Sequence, residues 1–115
     1  MVVRHVEAYL KRRGYDVIGF ERTLPNGRCC DLLFRGAGDP GCLYAGEIAS
    51  GSNDDEVRNI ALALQQPGGA DMAWSVAFTQ ALQRRIKREV RARCGDLWNR
   101  IDFRLAAEFI QDSGV

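Results

Sequence analysis

The chain has one histidine, His5, and four cysteines with no CxxC pair among them. Cys29, Cys30, Cys42 and Cys94 therefore lack the spacing of a zinc site. They read as buried free thiols, because cysteine behaves as a small hydrophobe. A cysteine nucleophile would need His5 beside a thiol, and nothing in the pattern brings the two together. No apolar run approaches the roughly 20 residues that span a bilayer. The N-terminus lacks the basic-then-apolar order of a signal peptide. These absences predict a cytoplasmic protein with no membrane segment. The formal net charge is only +1, so any nucleic-acid binding must come from local patches. There is no internal repeat, linker or low-complexity segment.

What is present fits one globular domain. Hydrophobic residues make up 46% of the 115 and charged residues 27%, too apolar for a disordered chain. Residues 2–13 read as a helix with Val3, Val6 and Leu10 at helical spacing and Gly14 as its stop. Glu7 lies close to that apolar stripe, at the margin of whatever the helix covers. A first strand is expected over 15–23, an Asn26-Gly27 turn after it, and a second strand over 28–35. In the second strand Cys29, Asp31 and Leu33 share one face, and Cys30, Leu32 and Phe34 the other. Asp31 is thus an acid embedded in an apolar strand.

A turn-rich loop, 36–41, leads to the run Cys42-Leu43-Tyr44-Ala45-Gly46-Glu47-Ile48-Ala49. This run is apolar enough for a central strand covered on both sides. Its single acid, Glu47, costs several kcal/mol if buried without a partner, so it should meet water, a metal or a donor. The three strands read as an antiparallel meander. A helix to about Gln66 follows, capped by Ser52 or Asn53, with Val57, Ile60, Ala61 and Leu64 as its buried stripe. Residues 72–79 form a fourth strand, apolar through its centre. Strand, helix, strand implies a right-handed crossover and a parallel fourth strand. A third helix runs from Gln80 to Cys94 with Gly95 as its stop, then a short strand near 101–103 and a last helix near 105–111. The fold class expected is α/β, with a mixed central sheet flanked by helices.

Two features point to chemistry. If the second and third strands pair, the Asp31 and Glu47 carboxylates converge, with the Ile48 carbonyl beside them. Two carboxylates and a carbonyl are hard oxygen ligands suited to Mg²⁺ or Mn²⁺. The third helix carries Arg84, Arg85, Lys87, Arg88, Arg91 and Arg93, a set that reads either as a phosphate-binding face or as a solvated one. Trp74 and Trp98 read as core or interface residues rather than as base-stacking platforms.

The order of elements, with Glu7 in the first helix, Cys30-Asp31 in the second strand and Glu47-Ile48-Ala49 in the third, resembles the PD-(D/E)XK nuclease-like superfamily. The resemblance covers residues 2–94 and implies a restriction-endonuclease-like three-layer core. It implies that Asp31 and Glu47 hold the metal, that Glu7 assists through water, and that the domain acts on nucleic acid, often as a homodimer or within a larger complex. Two positions depart from the family pattern. Ala49 stands where a lysine is usual, and Cys30 where a proline is common. Arg58 is the available relocated cation, and Gln65 and Gln66 are further polar residues on the following helix. Arginine is a poor base because it stays protonated, although it can stabilise an anion. Three readings therefore stand: a metal-dependent nuclease, a catalytically degenerate module that binds nucleic acid or protein without cleavage, and a small assembly subunit whose acids are paired with arginines.

Overall fold

A computed structural model describes residues 2–49 and 55–113. In chain order the elements are α1 (Val2–Arg12), β1 (Asp16–Thr23), β2 (Cys29–Gly36), β3 (Asp39–Ala49), α2 (Glu56–Ala63), β4 (Met72–Ala77), α3 (Gln80–Cys94), a 3-10 turn (Gly95–Arg100), β5 (Ile101–Leu105) and α4 (Ala106–Ser113). One sheet has the order β1-β2-β3-β4-β5. Each of the first three strands runs antiparallel to its neighbour. β4 lies parallel to β3, and β5 parallel to β4. The expected meander followed by a crossover to a parallel strand is therefore present, and α3 makes a second crossover of the same kind. Among the described residues no helix is long and apolar enough to cross a membrane.

Side-chain alternation in β4 explains the two unlike cores. Ala73 and Ala77 point to one face and Trp74 and Val76 to the other. On the small-residue side, Ala45, Ala49, Ala73 and Ala77 let α2 and α3 lie close, and Val57, Ile60, Ala63, Leu82, Ile86 and Val90 fill the space. On the other side, Val6 and Leu10 of α1 and Phe109 of α4 pack on Leu32, Phe34, Trp74 and Val76. Trp74 is buried there against Phe109 and Phe34, with ring centroids 5.8 and 5.2 Å away. Cys30 breaks the expected alternation: it joins the α2/α3 core rather than sharing a face with Leu32 and Phe34. Its register partner is Arg22, next to Glu21, which has a positive φ of 48°.

The cap of α2 is Asp55, whose carboxylate accepts the Arg58 N–H at 3.0 Å. The Ser52 and Asn53 expected to cap it lie outside the described residues. Asp55 also accepts two hydrogen bonds from Arg93, at 3.1 and 3.0 Å, which tie α2 to α3. The far end of α2 is held by tertiary partners. Asn26 Nδ2 donates to the Leu62 and Gln65 carbonyls at 3.0 and 3.1 Å. Gly68 makes this contact possible, because a Cβ there would lie 2.8 Å from the Asn26 nitrogen and its φ is +88°. Arg100 fastens the same loop, donating to the Asp71, Leu64 and Ala70 carbonyls at 3.0, 3.0 and 2.9 Å. Three carbonyls share one charged donor group, so Arg100→Ala should lower the unfolding free energy by about 2–3 kcal/mol. A urea midpoint equal to that of the unaltered protein would contradict this clamp.

Candidate functional site

The β2–β3 ladder runs from Arg35↔Leu43 to Leu32↔Gly46 and ends there. β3 continues to Ala49, paired with β4 alone. Where the next β2 partner would stand, the Asp31 side chain intervenes: its Oδ2 accepts the Ile48 N–H at 2.7 Å. The two strands thus part with a carboxylate set between them. Glu47 lies on the α2/α3 face, because Ala45 and Ala49 on either side of it belong to that core.

The two acids meet. Burial pushes the Glu47 carboxyl up to about 8, and the adjacent Asp31 charge and a side-chain hydrogen bond to Asp31 push the same way. Only the Asp31 backbone N–H works against them. At neutral pH the pair therefore holds a proton on Glu47, the usual outcome for two carboxylates sharing a partly dry site. The Cys30 thiol is pushed up to about 12, first by burial and then by Glu47, Cys29 and Asp31. A thiol held protonated this firmly is no nucleophile near neutral pH.

Half-buried, mutually repelling oxygens fit a hard divalent cation, which would displace the proton and relieve the repulsion. Among the described residues no third histidine, cysteine or acid joins the pair. Any ion held here would take its remaining ligands from water, carbonyls or a phosphate.

The structure brings together Asp31, Glu47 and the Ile48 backbone, and leaves the other expected residues elsewhere. Glu7 sits on α1, which packs on the opposite face of the sheet through Val6 and Leu10, and its carboxylate faces Lys11 at 3.4 Å. Arg58 is exposed on α2. Gln66 is engaged structurally, with Nε2 donating to the Gly69 and Ala70 carbonyls. Sequence reading missed Ser75, the register partner of Glu47 on β4, which is only 2% exposed. The one available signal was a hydroxyl in the middle of an otherwise apolar strand.

The cations of α3 divide into two groups. Arg85 pairs with Glu56 and Glu89, and Arg93 with Asp55. Arg84, Lys87, Arg88 and Arg91 instead line a cleft of about 380 Å³ together with Trp98.

Comparison with known proteins gives no match: no family model, no curated protein and no solved structure matches this chain.

Proposed function

We propose that this chain is a nuclease-like domain that binds Mg²⁺ or Mn²⁺ at Asp31 and Glu47 and acts on nucleic-acid phosphodiesters. The observation that carries the reading is the contact between these two carboxyls at the point where β2 and β3 part. A divalent ion there would act as a Lewis acid and lower the pKa of a bound water. Asp31 is fixed for such a role by the Ile48 N–H, which orients its Oδ2. The Ile48 carbonyl is the backbone candidate for a third ligand. Glu7 takes no part in this reading except through solvent.

A second reading has its own observation. Ala49 is 2% exposed and packed in the α2/α3 core, at the position where the resemblance expects a lysine. That favours a degenerate module that binds nucleic acid or a protein partner without cutting it.

Incubation of labelled single- and double-stranded DNA and RNA with Mg²⁺ or Mn²⁺ separates the two. Cleavage that Glu47→Ala reduces by about 100-fold or more supports the nuclease. Intact substrates in the presence of bound ion support the module. Ala49→Lys would place an ammonium on the Glu47 face, two residues along the same strand. It should raise cleavage by about 100-fold, the scale of one well-placed proton donor or acceptor. No gain in a folded, ion-binding Ala49→Lys protein would contradict the lysine explanation.

A further inference from the structure

We infer that the cleft between α3 and the 3-10 turn is a second site, which takes one unpaired nucleotide of a single-stranded nucleic acid. The choice of nucleic acid rests on the proposed function above; the site itself rests on its own residues. Arg84 and Arg91 each lie three or four residues from the adjacent Lys87 and Arg88, so the four form one stripe on α3. Like charges at this spacing destabilise a helix. Among the described residues none of the four has a carboxylate partner, whereas the acids Asp55, Glu56 and Glu89 all serve Arg85 and Arg93. A chain of net charge +1 thus gathers four uncompensated cations in one concavity. An anion bound there would relieve that repulsion.

The aromatic part specifies more than an anion. The Arg91 guanidinium lies over the Trp98 ring, 4.2 Å from its centroid. Trp98 in turn packs on Phe103 at 4.9 Å, and the Lys87 ammonium sits 5.5 Å from the Phe103 centroid. Guanidinium and indole are in contact before any ligand arrives, and the phenyl ring adjoins the indole at a tilt of 40°. A flat base can extend that stack on the guanidinium or replace it on the indole, while its phosphates meet Arg84, Lys87 and Arg88. A duplex keeps the faces of its bases covered, so it can offer only phosphates. The volume of about 380 Å³ suits a small flat group rather than a helical groove.

The test titrates the whole protein with oligothymidylate in EDTA, which keeps divalent ions from the Asp31–Glu47 pair. Binding is followed by anisotropy and tryptophan fluorescence. Trp74 is buried on the other face of the sheet, so a change in emission reports Trp98. The expected result is quenching, with affinity about 10-fold or more above that for a duplex of equal length. Trp98→Leu should remove the quench and weaken binding about 10-fold, and Trp98→Phe should retain most of the affinity. Arg84→Ala with Arg88→Ala, both exposed, should lower the salt slope by about 1–2. That pair carries the test if Trp98→Leu fails to fold. Equal binding of duplex, equal binding of a polyglutamate peptide, or wild-type affinity in Trp98→Leu would each overturn the proposal. Glu47→Ala should leave this binding unchanged. No ion binding by the unaltered protein, with single-strand binding intact, would remove the metal centre and keep this site; ion binding without single-strand binding would remove this site alone.

Discussion

The protein will lose stability as the pH rises from about 5 to about 9, and Glu47→Gln will remove most of that loss. The folded Glu47 carboxyl titrates at about 8, against an ordinary value of 4.5. Between those values the folded state holds a proton that the unfolded chain has released. Stability therefore falls with rising pH across this window, and the fall levels off by about pH 9. A shift of this size corresponds to a penalty on the order of 3–5 kcal/mol, a large share of the stability of a small domain. Glutamine keeps the shape of the side chain and can donate to Asp31 without titrating. Urea unfolding at several pH values is the measurement. Parallel profiles for the two proteins would mean that Glu47 is not the group responsible.

A second large effect concerns divalent ions. Mn²⁺ at about one hundred times its dissociation constant should raise the unfolding free energy by about 2.7 kcal/mol. Asp31→Ala and Glu47→Ala should each lose that increment. The Asp31 variant also loses the acceptor for the Ile48 N–H, so its starting stability will be lower. The ion-dependent shift within each variant is the quantity to compare. Glu7→Ala should keep the shift, because α1 covers the other face of the sheet. A shift that survives in both carboxylate variants would place the ion elsewhere.

Much of this arrangement was legible from local pattern, and the failures have physical causes. The α3 bounds follow directly from Thr79, whose hydroxyl accepts the Leu82 N–H at 3.1 Å, and from the Leu82, Ile86 and Val90 stripe. Gly95, however, does not end the helical path. Its φ is −58°, not the left-handed value of a glycine stop, and the chain continues as a 3-10 turn. That turn folds Trp98 back beside Arg91, which is why the cleft could not be read from spacing while the cationic stripe could. Helix α2 was expected to reach Gln66 and ends at Ala63. Its last carbonyls are taken by Asn26, distant in sequence, and by the Ala70 N–H at 2.8 Å, beyond the turn. β3 begins at Asp39 rather than after a six-residue loop, since Gly36 pairs with Asp39 around a two-residue turn with Gly38 at φ +75°.

The acid pair itself was legible because a carboxylate in an apolar strand needs a partner, and two such strands were expected to be neighbours. Glu7 shows the limit of that reasoning. Its place beside the apolar stripe put it near the sheet, but only tertiary packing decided which face α1 would cover. Ser75 was hidden by an apolar average over β4, although its register with Glu47 puts it next to the pair.

The most direct measurement is a calorimetric titration of Mn²⁺ into the unaltered protein, Asp31→Ala and Glu47→Ala, in two buffers of different ionisation enthalpy. The expected result is saturable binding that both variants lose, with a proton released near neutral pH as the ion displaces the one on Glu47. Binding retained in both variants, or binding with no proton release below pH 8, would contradict a cation site at Asp31 and Glu47.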